Sequence, residues 1–238
     1  MKILGLETSA RACSAAVTED GTVLASAFQC TGLTHSRTLM PMVEDMLRNA
    51  ELSMAQIDAV AVAAGPGSFT GIRIGIAAAK GLAWAREIPC AGVSTLEAMA
   101  QSLAHTDALV VCAMDARRSQ VYNALFRARF GTLTRLTPDR AISLEELAEE
   151  LRGVEGDKIV LGDGGALCRD ALEKSQVPCR LAPPHLLQQN AVGVALTAET
   201  MAAAGKLVSA QELLPVYLRP PQAERLRDRQ RKAEAQGR

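Results

Sequence analysis

Residues 58–86 read DAVAVAAGPGSFTGIRIGIAAAKGLAWAR, and no other stretch narrows the fold so far. DAVAVAA is short and apolar throughout. A strand of that length without polar alternation suits an inner strand buried on both faces. Gly65-Pro66-Gly67 is a tight turn, and Ser68 or Thr70 supplies an N-cap for a helix running to about Arg86. In that helix Gly71, Gly75 and Ala79 lie four apart. Around them stand Ile72, Ile74, Ile76, Ala77, Ala78, Leu82, Ala83 and Trp84, and before Arg86 only Arg73 and Lys80 are charged. A surface helix on a sheet should carry one polar face. This one is apolar nearly all round, so one face is expected on the sheet and another against a second helix. That second helix is either the one expected over 36–50 or one from another chain. The small residues would let its backbone come close.

The glycines suggest a phosphate loop, but their spacing removes that reading. A G-x-x-x-x-G-K-S/T loop needs a lysine directly after its last glycine and a hydroxyl for magnesium. Here Ile72 follows Gly71, and Lys80 comes more than two helical turns later. G-x-G-x-x-G also fails, since Gly65, Gly67 and Gly71 are two and four apart. Only binding by the helix N-terminus through its backbone stays open.

Around this unit the chain reads as α/β. Strands are expected over 2–8, 12–18 and 22–28, the last two joined by an Asp20-Gly21 hairpin turn. Three meandering strands are not the strand–helix–strand opening of a dinucleotide fold. Leu39, Val43, Met46 and Leu47 have helical spacing over 36–50, with Pro41 as the expected start of regular helix. A strand over 88–93 leads to a helix capped by Ser94. A second block begins near Asp107: an inner strand over 108–114, a strand over 120–129 paired with 132–137 across Phe130-Gly131, and a helix whose Ser143 and Glu146 form a capping box. A short strand over 158–161 ends in GDGG, and a long helix over 190–205 precedes LLPVYLRPP. The two blocks echo each other, which predicts two lobes from a duplicated unit with the second reduced. The expected division is a first lobe over 1–104, a smaller second lobe over 105–221 whose C-terminal end returns to the first, and a charged tail over 222–238 with six Lys/Arg against three Asp/Glu. That tail is either a solvated terminus or a basic nucleic-acid contact.

At 48% hydrophobic and 22% charged residues, a packed core is expected over disorder. Formal net charge is zero and aromatics are 3%, so no wholesale nucleic-acid footprint appears. No apolar run is long enough to cross a membrane. The cysteines at 13, 30, 90, 112, 168 and 179 are dispersed, as reduced thiols of a cytoplasmic protein would be. Histidines 35, 105 and 185 have no metal-ligand spacing. The polar candidates are Glu7-Thr8-Ser9, which either cradles a phosphate and places magnesium or is an ordinary strand end; Asp115 with Arg117, Arg118 and Tyr122; Asp163 in GDGG; and His35-Ser36, which reads more readily as a helix-capping loop than as catalytic.

LGLETSARACSAAV, THSRTLMPMVEDML, DAVAVAAGPGSFTGIRIGIAAAKGLAWA, GVSTLEAMA, DARRSQVY, GDGG and PVYLRP together resemble the bacterial TsaB (YeaZ) family of tRNA threonylcarbamoyladenosine biosynthesis, over residues 1 to about 220. The resemblance implies the fold of actin, hexokinase and the Hsp70 ATPase domain. It implies a non-catalytic partner and activator of TsaD, the transferase that modifies adenosine 37 of tRNAs reading codons that begin with A. TsaE would join the assembly, the chain would self-associate when alone, and tRNA would be contacted indirectly. No cofactor, metal or catalytic residue is implied, and Glu7, Thr8 and Ser9 would be a degenerate phosphate loop. The partner interface carried over comprises Leu39, Met42, Val43, Met46, Phe69, Gly71, Ile72, Arg73, Gly75, Ile76 and Ala79. H-x-x-x-H, the metal pair of TsaD, is absent, since Leu39 stands four after His35. A sugar-kinase-like or other ATP-dependent enzyme is the alternative, and a peptidase comes after it.

Overall fold

A computed structural model describes residues 1–219. The expected tail over 222–238, and the last two residues assigned to the second lobe, lie outside the described residues. Two sheets form the frame. The first combines β1 (Lys2–Glu7), β2 (Cys13–Glu19), β3 (Thr22–Gln29), β4 (Ala59–Gly65) and β5 (Cys90–Ser94) in the order β3-β2-β1-β4-β5. The second combines β6 (Asp107–Asp115), β7 (Gln120–Arg129), β8 (Thr132–Arg135), β10 (Lys158–Leu161) and β11 (Arg180–Leu181) in the order β8-β7-β6-β10-β11; β9 (Arg140–Ser143) pairs with β7.

The duplication read from the sequence is explicit in this order. In each sheet three antiparallel strands come first, and two parallel strands are then added beside the first of them. Even the hairpins correspond. Asp20-Gly21 and Phe130-Gly131 both have positive φ at both residues, the geometry that matches the twist of two-residue hairpins. The second sheet is reduced in strand length, with two residues in β11 and four in β8.

Six helices complete the layers: α1 (His35–Asn49), α2 (Phe69–Trp84), α3 (Thr95–Gln101), α4 (Leu144–Arg152), α5 (Gly165–Lys174) and α6 (Ala191–Ala203). On β4, Val60, Val62 and Ala64 face α1 and α2, while Ala59, Ala61 and Ala63 face α6. Both faces are buried, as the unbroken apolar run required. The alternate alanines leave room for α6, which lies so close that a Cβ on Gly5 would sit 2.5 Å from the Ala191 carbonyl. Leu96, Met99 and Ala100 of α3 pack on Val110, Cys112 and Phe126 of the second sheet. So α3 follows the first sheet and covers the second, while α6 follows the second and covers the first. Helices α4 and α5 close the outer face of the second sheet with Leu147, Leu151, Cys168 and Leu172.

Three local differences from the sequence reading have physical causes. Helix α1 starts at His35, not near Pro41. Pro41 is exposed and removes one hydrogen bond, but Leu39, Val43, Met46 and Leu47 are buried on the opposite side. Four such burials, at about 1.5–3 kcal/mol each, outweigh an interior proline costing about 3 kcal/mol. Helix α5 went unread because it opens on Gly164-Gly165 with no side-chain cap. Strand β9 went unread because its four residues carry no alternation strong enough to separate them from the α4 cap.

Candidate docking face and interlobe cleft

The two motifs of the first lobe are built against each other. Thr8 Oγ1 donates to the Gly71 carbonyl at 2.8 Å, and the Ser68 amide donates to the Ser9 carbonyl at 2.6 Å. A Cβ on Gly67 or Gly71 would collide with the carbonyls of Ser9 and Thr8, and one on Gly75 would lie 2.5 Å from Thr8 Oγ1. Ser68 is the N-cap of α2, its Oγ accepting from the Gly71 amide at 3.3 Å. The stripe Gly71, Gly75, Ala79 therefore does not wait for a partner helix. It turns inward, where its glycines make room for the β1–β2 turn of this same chain, and that corrects the reason given for the spacing.

Burial sorts the eleven expected interface residues. Leu39, Val43, Met46, Gly71, Ile72, Gly75, Ile76 and Ala79 are buried in this chain's own core, so they shape the α1–α2 face without forming its surface. Met42 and Phe69 are half-buried and Arg73 is exposed. The surface of α2 is instead the stripe Thr70, Arg73, Ala77, Gly81 and Trp84, with a single charge in it. Trp84 is 64% exposed. Beside the stripe, Met40, Leu47, Leu52, Met54 and Leu82 line a groove of about 480 Å³ between α1 and α2. An exposed tryptophan at the end of an apolar, charge-poor helix face next to a methionine-lined groove has the composition of a protein contact. Small-residue spacing alone could not say which backbone came close; the exposed stripe was legible only once the buried one was known.

The scattered polar candidates do meet. A cleft of about 560 Å³ between the lobes is lined by Ser9, Arg11, Ser68, Phe69, Asp115, Arg117, Tyr122 and Asp163, among others. Of Glu7, Thr8 and Ser9, Ser9 lines the cleft, and all three are fully buried. Glu7 Oε1 accepts from the Ser9 amide, and Oε2 has no partner. Burial pushes the Glu7 pKa up to about 7; Asp163 adds to the rise and the Ser9 hydrogen bonds oppose it. Asp163 accepts from Gln189 Nε2 at 3.0 Å. Burial also raises its pKa, with Asp115 adding to the rise against that hydrogen bond. His35 Nε2 donates to the Ala10 carbonyl at 2.7 Å, which ties the β1–β2 turn to the start of α1; no hydrogen bond joins it to a serine or cysteine among the described residues. Nor does any group of three or more His, Cys, Asp or Glu gather as a metal site among the described residues.

Residues 216–219, in the C-terminal end of the second lobe that the sequence reading expected to return to the first, cross the cleft. The Val216 amide donates to the Ala64 carbonyl at 2.7 Å. Tyr217 stacks on Phe69 with centroids 4.8 Å apart and accepts from Arg73 Nε at 2.9 Å, while the Arg73 guanidinium lies 3.9 Å over the Phe69 ring. Arg219 then donates to the Ala116 carbonyl at 2.8 Å and to the Gln120 side chain. Residues 216–219 thus bind both lobes.

Comparisons with known proteins converge. A family model described as TsaD, tRNA N6-adenosine threonylcarbamoyltransferase, matches residues 29–215. Among curated relatives, the tRNA threonylcarbamoyladenosine biosynthesis protein TsaB of Escherichia coli is 36% identical over 92% of this chain and 95% of its own length. Its Bacillus subtilis namesake is 35% identical over 73% of this chain and 76% of its own length. Among solved structures, YeaZ from Pseudomonas aeruginosa superposes with a TM-score of 0.78 at 31% identity, covering 91% of this chain and 99% of its own. A hexokinase of the ROK type from Thermus thermophilus superposes at 0.51 and 15% identity, over 86% of this chain and 100% of its own, which shows the shared fold alone.

Proposed function

The chain belongs to the TsaB family and takes part in tRNA threonylcarbamoyladenosine biosynthesis, and from that premise we propose that it is a non-catalytic subunit that docks onto and activates the TsaD transferase. In this reading TsaD forms the modified base at adenosine 37, TsaE joins the assembly, and the chain pairs with a second copy through the same face when TsaD is absent. The work is cytoplasmic. No helix among the described residues is long and apolar enough to cross a membrane.

The observation that carries the reading is the division of labour within the first lobe. Of the residues of the degenerate phosphate loop, Thr8 is engaged by the Gly71 carbonyl and all three are fully buried, while Ser68 caps helix α2. The α1–α2 face, by contrast, leaves Met40 and Trp84 open to solvent. Hot spots of protein interfaces are enriched in tryptophan, tyrosine and arginine and lie near the centre of the contact.

The test is assembly with TsaD. Ala77→Glu places a charge in the exposed stripe, and Trp84→Ala removes its largest side chain. Each is expected to weaken the complex at least tenfold, at about 1.4 kcal/mol per decade, and to lower modification in proportion, while the thermal midpoint of the free chain, measured at a concentration where it is monomeric, stays put. Normal assembly and normal modification with both variants would show that the face is misassigned.

A further inference from the structure

We propose that the loop between β6 and β7, together with the cleft mouth beneath it, binds the phosphodiester backbone of RNA through Arg11, Arg117 and Arg118. The proposal rests on the tRNA-modification reading and extends it from an indirect to a direct contact.

The loop is built at a cost. Arg117, Arg118 and Ser119 all have positive φ, at 66°, 57° and 55°. Three successive non-glycine residues in the left-handed region are disfavoured and persist only where the surroundings over-determine them. Here they do. The Arg117 amide donates to Asp115 Oδ1 at 2.7 Å, the Ala116 amide to the Gln120 carbonyl at 3.1 Å, and the Leu144 amide to the Ser119 carbonyl at 3.2 Å. Arg219 holds the Ala116 carbonyl from the other side. This bracing fixes the turn with both arginines exposed to solvent, and the Arg117 side chain is 87% exposed.

Arg11, also exposed, lines the same cleft from the β1–β2 turn. Neither Arg11 nor Arg118 forms an ion pair among the described residues, and Arg117 has only a 3.5 Å contact with Asp115. Tyr122 stands half-buried in the same cleft, with the Arg219 guanidinium 5.7 Å over its ring. In a chain of zero net charge this is a local concentration of unneutralised guanidinium groups. A second observation is independent of the loop. The described chain ends at Arg219 in this mouth, and the 19 residues that follow in sequence carry six Lys/Arg against three Asp/Glu.

Guanidinium groups fit phosphate oxygens in pairs, and arginines interleaved with aromatic rings are the usual surface for single-stranded or looped RNA. Asp115 and Asp163 inside the cleft oppose deep entry of a polyanion, which places the contact at the rim.

The experiment measures binding of unmodified tRNA to the assembled complex with TsaD as a function of salt, for the natural chain and for the triple variant Arg11→Gln, Arg117→Gln, Arg118→Gln. The expected result is a tenfold or greater loss of affinity, a salt slope shallower by about 2–3 at roughly 0.9 per phosphate contact, and unchanged assembly with TsaD. Unchanged affinity and slope overturn the proposal. So does a variant that binds tRNA normally but loses TsaD or TsaE, which would make the loop a protein contact. Modification by the unaltered complex is scored separately. If it occurs while the variant's tRNA binding is normal, only this proposal fails; if it never occurs, the proposed function fails and this proposal with it.

Discussion

Glu7 is the residue whose chemistry differs most from what its position in the sequence suggests. It stands at the end of an inner strand, in a turn whose residue types suit a phosphate cradle, yet it is fully buried with one oxygen unpartnered among the described residues and its pKa pushed up to about 7. A carboxyl that holds its proton more tightly when folded than when unfolded stabilises the fold at low pH. That contribution is complete below the ordinary value of 4.5 and is lost as pH rises through about 7. A rise of that size corresponds to about 3 kcal/mol. Urea unfolding at pH 5 and pH 8 is expected to show this loss. Glu7→Gln keeps the oxygen that accepts from Ser9 and cannot ionise, so it should remove most of the difference and be the more stable form at pH 8. A variant whose pH dependence matched the natural chain would place the buried charge elsewhere.

At the scale of elements, helix α2 and the strap over 216–219 show what spacing can and cannot say. Gly71, Gly75 and Ala79 signal that something comes close, and something does, but it is the turn at Thr8 and Ser9. The strap had no periodicity to betray it. Its work is done by single contacts: Tyr217 on Phe69 and Arg73, Arg219 on Ala116. A stacked pair with a cation over it is worth about 1–2 kcal/mol. Tyr217→Ala is therefore expected to lower stability by about that much and to speed exchange of the Val216 amide, whose acceptor Ala64 ends the inner strand. An unchanged exchange rate would mean the strap is held by its backbone alone.

For the whole molecule, the exchange of α3 and α6 matters more than the count of lobes. The face of the first sheet formed by Ile3, Ala61, Ala63 and Val93 is covered by Val194, Ala195 and Ala198, residues roughly 100 to 195 positions later in the chain. A division at 104/105 follows the sheets but cuts through this core. Residues 1–104 alone should lack a cooperative unfolding transition, and the full chain should unfold in one step. A fragment with native-like circular dichroism and its own sharp transition would show instead that α6 is dispensable.

The sequence by itself determined most of the elements and the pairing of the hairpins. Alternation, continuous apolar runs and turn chemistry are local, so β1 to β8, the two positive-φ hairpins, the Ser94 and Ser143 caps and the duplicated order could all be read from neighbours within a few residues. It also brought the candidate residues into view, since Ser9, Asp115, Arg117, Tyr122 and Asp163 each sit where a strand ends. Only the tertiary structure decided which of them share a cleft, which face of α2 meets solvent and what covers the cleft. Those outcomes depend on contacts between segments 60 to 140 residues apart, such as Thr8 with Gly71 and Arg73 with Tyr217. A glycine on a helix reports that its surface is low; the identity of the group that fills the space is fixed by where the rest of the chain comes to lie.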